Sequence, residues 1–155
     1  MATALPFSDC VFGLVCAMDI VEHVAEDELA LSELARVSAP GAALLLSVPL
    51  HAAAWSGFDE MVGHHRRYEP ARLLKLLATA GFTIEDSVRS GMLPRSRRLR
   101  DAGVWFLRHQ HERAMWWYNH VFMPIGLRRA PRLALATGLI NLDRVAGVLL
   151  LCRKV

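Results

Sequence analysis

Two short apolar runs constrain this chain more than anything else in it: VFGLVCA at 11–17 and AALLLSV at 42–48. Both are continuous rather than alternating, which is the pattern of strands buried on both faces. The residues between them read as one helix over 26–38. Glu26, Asp27 and Glu28 suit its positive amino end, Ala30, Leu34 and Val37 form an apolar stripe, and Arg36 suits the last turn. Pro40-Gly41 is the expected stop. Strand, helix, strand is the unit from which mostly parallel sheets with helical crossovers are built.

The remainder continues the alternation. A helix is expected over 70–80, with Pro70 in its first turn, Leu73, Leu74 and Leu77 on one side and Gly81 as its cap. Residues 82–88 alternate as a strand through Phe82, Ile84 and Val88. Residues 98–122 read as helical and hold most of the aromatic side chains, 124–141 have no decisive pattern, and 145–155 form a last strand. Ligands of such sheets bind beyond the carboxyl ends of the strands. Asp19 and the polar loop at 49–68 stand at such ends.

Composition closes off other classes. With 54% hydrophobic and 21% charged residues, the chain is not disordered. Three cysteines, Cys10, Cys16 and Cys152, do not make a disulfide scaffold, so a reducing, cytoplasmic setting is expected. No signal or spanning segment is expected either. The longest uncharged stretch, 39–58, is interrupted by Pro40, Gly41, Pro49, His51 and Gly57. Net charge is +3, yet residues 1–65 carry −8 and residues 66–155 carry +11, with ten arginines between 89 and 132. That excess favours anionic partners or is simply a solvated, arginine-rich surface. No nucleic-acid motif accompanies it, so no nucleic-acid partner is expected.

The order of motifs then matters. ATALPFSD (2–9), FGLVCAMDIVEHV (12–24), ELARVSAPGAALLLSVP (33–49), GHHRRY (63–68) and LLKLLATAGFTI (73–84) together resemble the second half of class I S-adenosylmethionine-dependent methyltransferases. The resemblance covers about residues 2–90 and the strand at 145–155. It implies an α/β fold, a partial Rossmann-like methyltransferase sheet that is mostly parallel with a final antiparallel strand and has helices on both faces. It implies one truncated domain over 1–155: core motifs in 1–90, a basic aromatic helical insertion in 91–141 and the last strand in 142–155. The implied cofactor is S-adenosyl-L-methionine, and the implied activity is methyl transfer to a small-molecule or lipid-linked acceptor. The family's glycine-rich turn is missing, Met1 stands at a usually acidic position, and so does Gly13. Weak cofactor binding and impaired activity are therefore expected of this chain, with an open sheet edge along 11–17 prone to self-association. The rival function is a non-catalytic module that binds anionic membrane or a partner chain.

Candidate residues follow. His23 is the expected general base, with Glu22 and Asp19 beside it. The same cluster could cap the next helix or hold a divalent ion, and the expected site carries no metal. His109-x-His111 lacks further ligands at metal spacing. His64, Arg66, Arg67 and Tyr68 are expected to face the substrate. Equally open is a structural use, with the arginines paired to the acidic first half and Tyr68 packed at a helix start. The resemblance places Ala2 and Thr3 near the adenine and Ala17 and Met18 near the methionine moiety, through backbone contacts. Arg95, Arg97, Arg98, Arg100, Arg108 and Arg113 are interleaved with Trp105, Phe106, Trp116, Trp117 and Tyr118. This segment either meets a membrane interface or packs its aromatics, and packing is expected because tryptophan is usually well buried.

Overall fold

The computed structural model describes residues 2–90, 96–129, 134–143 and 145–155, with the backbone alone at Arg97, Arg100 and Arg129. Met1 and Arg95 lie outside the described residues. The chain divides into two compact units. One comprises Met1–Trp55, Gly63–Gly91 and Leu135–Val155; the other comprises Ser56–Val62 and Met92–Ala134.

The first unit is a five-stranded sheet. Strand β1 (Phe12–Met18) crosses through helix α1 (Asp27–Val37) to β2 (Ser38–Pro49), and the two pair in parallel. Helix α1 runs straight into β2, and Ser38 Oγ donates to Leu34 O at 2.6 Å across the junction. Pro40 and Gly41 lie inside the strand rather than ending the helix, and the β1–β2 ladder absorbs them in a register shift. Gly41 takes φ +73°, which glycine adopts without strain. Helix α2 (Gly57–Val62), in the second unit, interrupts what the sequence presents as one polar loop. Helix α3 (Pro70–Thr79) leads into β3 (Phe82–Ser90) through Gly81.

The strand order is β1-β2-β5-β3-β4, where β4 is Ala136–Thr137 and β5 is Gly147–Lys154. Strand β5 is antiparallel to both β2 and β3. Strands β1, β2 and β3 therefore run the same way, as read from the sequence. Among the described strands only β1–β2 is a parallel pair in contact, because the final strand is inserted between β2 and β3 rather than added at an edge. Its entry is tight: a Cβ on Gly147 would meet Ser90 Oγ at 2.9 Å and the Ser90 and Val48 carbonyls at 3.3 Å. Leu44, Leu46, Val48, Val148, Leu150 and Cys152 are fully buried on these central strands, and α1 and α3 contribute Leu31, Leu73 and Leu77 to the same core. Removing one such leucine side chain costs about 2–5 kcal/mol. At the other extreme, β1 is an edge, with Leu14 and Met18 exposed.

The second unit is helical. The single helix expected over 98–122 is divided into α4 (Arg97–His109) and α5 (His111–Trp117), followed by a π-helical turn (Tyr118–Phe122) and α6 (Met123–Arg129). The break falls at Gln110, whose φ −140° and ψ 55° are not helical. Val104 and Ala114 are buried, but Trp105, Trp116 and Trp117 are 57%, 53% and 46% exposed. The expected packing of these aromatics is thus corrected: the unit offers its indoles little core, and two of them stack on His109 and His120 one turn away. No helix among the described residues is long and apolar enough to cross a membrane.

Candidate active site at the carboxyl end of β1

The site begins where β1 ends. Asp19 takes φ +50°, a conformation that aspartate tolerates better than most residues. Its backbone N–H donates to Ser47 O at 3.1 Å and to Ser47 Oγ at 2.9 Å, and the Ser47 hydroxyl donates to Asp19 Oδ1 at 2.8 Å. The turn after β1 is thereby locked to its parallel neighbour. One 3-10 turn, Val21–His23, follows immediately. It buries Glu22 and leaves His23 exposed.

His64 joins this pair from 41 residues along the chain. The loop that carries it is pinned at several points. His65 N–H donates to Glu22 O at 2.8 Å, Tyr68 N–H to Pro49 O at 2.9 Å, and His51 N–H to Tyr68 O at 2.9 Å. His51 is itself held by donation from Nε2 to Leu142 O at 2.8 Å. The result places His64 Nε2 3.9 Å from Glu22 Oε1 and the His23 and His64 rings edge to face at 4.6 Å. His23 Nδ1 donates to Gly63 O at 3.2 Å. That bond makes Nδ1 the donor, so the neutral ring carries its lone pair on Nε2.

Glu22 is the anomaly. It is 0% exposed, and neither carboxylate oxygen has a hydrogen-bond partner among the described residues. Burial lifts its pKa to about 7. Its own backbone amide offsets part of that shift, and the charge of Asp19 adds to it. A buried acid without donors is rare in native proteins and calls for a reason.

The GHHRRY residues divide in use. Arg66 pairs with Asp27 at 2.6 Å and donates to Ala25 O at 2.6 Å. Tyr68 is buried, and its hydroxyl donates to Asp27 Oδ2 at 3.0 Å. Burial and the charge of Asp27 push that phenol upward. Arg72 completes the set at 2.9 Å from Asp27. Burial alone would raise the Asp27 pKa, but bonds from Arg66, Arg72 and Tyr68 outweigh it and hold the carboxyl below its ordinary value. Arg67 is also buried, with Leu50 O 3.5 Å from its guanidinium. Of the four residues expected to face substrate, Arg66 and Tyr68 are therefore committed to Asp27, Arg67 is withdrawn from the surface, and His64 reaches the Glu22–His23 pair. The sequence did not single out Asp27 or Ser47 as partners. The alternation of acidic first half and basic second half was the available signal for the Asp27 set.

The expected cofactor contacts lie in two places. Ala17 and Met18 close β1 directly ahead of Asp19, Ala17 buried and Met18 exposed. Ala2 and Thr3 belong to the segment anchored on α1, where Leu5 N–H donates to Glu33 Oε2 at 2.9 Å and Arg36 binds both Glu33 and Leu5 O.

Residues 1–46 match the family model described as a methyltransferase domain. Over 86 residues the chain is 34% identical to a Mycolicibacterium smegmatis protein named "Probable S-adenosylmethionine-dependent methyltransferase", covering 54% of this chain and 34% of that protein. Over this part the chain is similar to S-adenosylmethionine-dependent methyltransferases. It is also 33% identical over 96 residues to the malonyl-[acyl-carrier protein] O-methyltransferase of Erwinia billingiae, covering 51% of this chain and 38% of that enzyme. The chain thus spans between a third and two fifths of the length of these relatives. Among solved structures, a Thermotoga maritima S-adenosylmethionine-dependent methyltransferase superposes with a TM-score of 0.62 at 17% identity, covering 99% of this chain and 61% of that one. A [4+2]-cyclase superposes with a TM-score of 0.56 at 22% identity, covering 99% of this chain and 53% of its own. At these identities the likeness is one of fold, and fold alone does not dictate chemistry. S-adenosyl-L-methionine is the cofactor to which the methyltransferase relatives point.

Proposed function

We infer that this chain forms the acceptor-handling part of a methyltransferase site that uses S-adenosyl-L-methionine. The supporting observation is the Glu22–His23–His64 cluster at the carboxyl end of β1, beside residues whose sequence matches methyltransferases. Asp19 and Glu22 put acidic groups near the strand end, a charge that suits a cationic sulfonium cofactor. Ala17 and Met18 would hold its methionine end, and Ala2 and Thr3 its adenine, through backbone groups. When bound, the cofactor supplies an electrophilic methyl group.

The chain's own residues deal with the acceptor. In its neutral form His23, with Nδ1 donating to Gly63 O, uses Nε2 to take the proton from the acceptor's nucleophilic oxygen. Glu22 and His64, close to the His23 ring, stabilise the imidazolium that results. Asp19 keeps the turn in place through Ser47.

Two measurements test this. Amide shifts on titration with S-adenosylmethionine should centre on Ala17, Met18, Ala2 and Thr3. Assayed within a complete methyltransferase domain, methyl transfer from labelled cofactor to a panel of soluble and lipid-linked acceptors should fall by roughly 10²–10⁴ in His23→Ala. No shifts at β1, or turnover within a few-fold of wild type, would contradict the reading.

A second reading concerns the acceptor's setting. Exposed Trp105, Trp116, Trp117 and Phe122 lie among Arg98, Arg108 and Arg113. Aromatics beside arginines suit an anionic membrane interface, which favours a lipid-linked acceptor. Binding to anionic but not neutral vesicles, weakened by salt and lost in Trp116→Ala/Trp117→Ala, is the expected result. Equal sedimentation with both vesicle types would remove it.

A further inference from the structure

Glu22, His23 and His64 form the one group of three potential metal ligands identified among the described residues, and their ligand atoms all lie within 4.8 Å of one another. Proximity of such groups is not enough. Here a second observation points the same way: the Glu22 carboxylate is wholly buried, faces this cluster, and has no hydrogen-bond donor on either oxygen among the described residues. A buried anion is tolerated when it is paired or coordinates a metal. A third observation concerns His23. Its Nδ1 is already engaged with Gly63 O, so the ring presents Nε2 in a fixed tautomer, the outer-shell arrangement that metal-ligating histidines use.

We propose that Glu22, His23 and His64 bind a divalent transition-metal ion, with at least one coordination position left for an oxygen donor. Two imidazoles and one carboxylate suit Zn²⁺ and its neighbours better than Ca²⁺ or Mg²⁺, which prefer all-oxygen cages. Three protein ligands plus an open position is the pattern of reactive rather than structural zinc sites. Tetrahedral coordination at about 2.1 Å puts ligand atoms about 3.4 Å apart. The set therefore contracts by at most about 1.4 Å on binding, and the exposed His23 side chain has the room to move. Asp19 is not among the residues whose ligand atoms meet here, and its Oδ1 accepts from Ser47 instead. The third ligand comes instead from the GHHRRY loop. The role of the open position rests on the methyl-transfer reading above: it would hold the acceptor's oxygen, with His23 then a ligand rather than a free base.

Metal binding is measured without cofactor or acceptor, so failure of methyl transfer leaves the test intact. Metal-free protein is titrated with Co²⁺, followed by its visible d–d bands, and with Zn²⁺ in competition with a chromophoric chelator. One equivalent should bind with a Kd of about 1 μM or tighter. Glu22→Gln and His64→Ala should each weaken binding by more than about 100-fold, beyond the 10–100-fold that loss of an outer-shell partner costs. Glu22→Gln keeps the shape of the side chain and removes only its charge, so it decides the matter should His64→Ala not fold. The control is His109→Ala/His111→Ala, which removes an exposed histidine pair in the other unit and should change nothing. Absence of stoichiometric binding, or binding lost in the control and retained in Glu22→Gln, overturns the proposal.

Discussion

Glu22 and Asp27 lie five residues apart, just before and at the start of α1, and both carboxylates are withdrawn from water. Asp27 receives Arg66, Arg72 and Tyr68, so its charge is stabilised and its pKa falls. Glu22 receives no donor, so its charge is penalised and its pKa rises to about 7. The first arrangement is how a fold uses a buried acid to tie a loop to a helix. The second costs stability and leaves a carboxylate aimed at two imidazoles. Strain of that kind persists at sites that serve function rather than at sites that serve folding.

The largest expected effect is on the paired acid. Asp27→Ala should destabilise the first unit by about 2–3 kcal/mol in chemical denaturation. That is below the 3–5 kcal/mol of a fully buried pair, because Arg66 and Arg72 partly face water. Tyr68→Phe should cost about 0.5–1.5 kcal/mol, the value of one buried hydrogen bond. Glu22→Gln in metal-free protein at pH 8 should be neutral or stabilising, within about 1 kcal/mol of wild type, since it removes a buried charge to which no described residue donates a hydrogen bond. If Glu22→Gln proves as damaging as Asp27→Ala, the contrast between the two acids collapses.

The alternation that defines the sheet was legible because buried strands and a capped helix leave strong patterns in residues 11–48. What sits beside what was not. An apolar run such as VLLLC says that β5 is buried, but not that it separates β2 from β3. Helix α2 was hidden because GFDEMV is only six residues long, too short for the spacing of Phe58, Met61 and Val62 to stand out as a helical stripe. At the site, Glu22 and His23 were legible as neighbours in sequence. His64 was placed on the substrate side, and its approach to Glu22 depends on backbone bonds from His65 and Tyr68 that no residue pattern announces. Arg66 and Tyr68 are engaged as the structural alternative described: with Arg72 they surround the buried Asp27 carboxylate, two charged groups and a phenol on one acid.

Opposite pKa shifts also give opposite pH windows. For Glu22 the folded value lies above the ordinary 4.5, so its contribution to stability is full below about 4.5 and is lost as pH rises through about 7. For Asp27 the folded value lies below the ordinary 3.8, so its contribution is present above 3.8 and is lost as pH falls through that lower value. Carboxyl ¹³C NMR on chelator-treated protein reads both groups in one titration. The account predicts a Glu22 midpoint near 7 while Asp27 titrates below the usual carboxylate range. A Glu22 midpoint near 4.5 would mean that its carboxylate is solvated or paired, and would contradict the assignment of Glu22, His23 and His64 as the functional cluster.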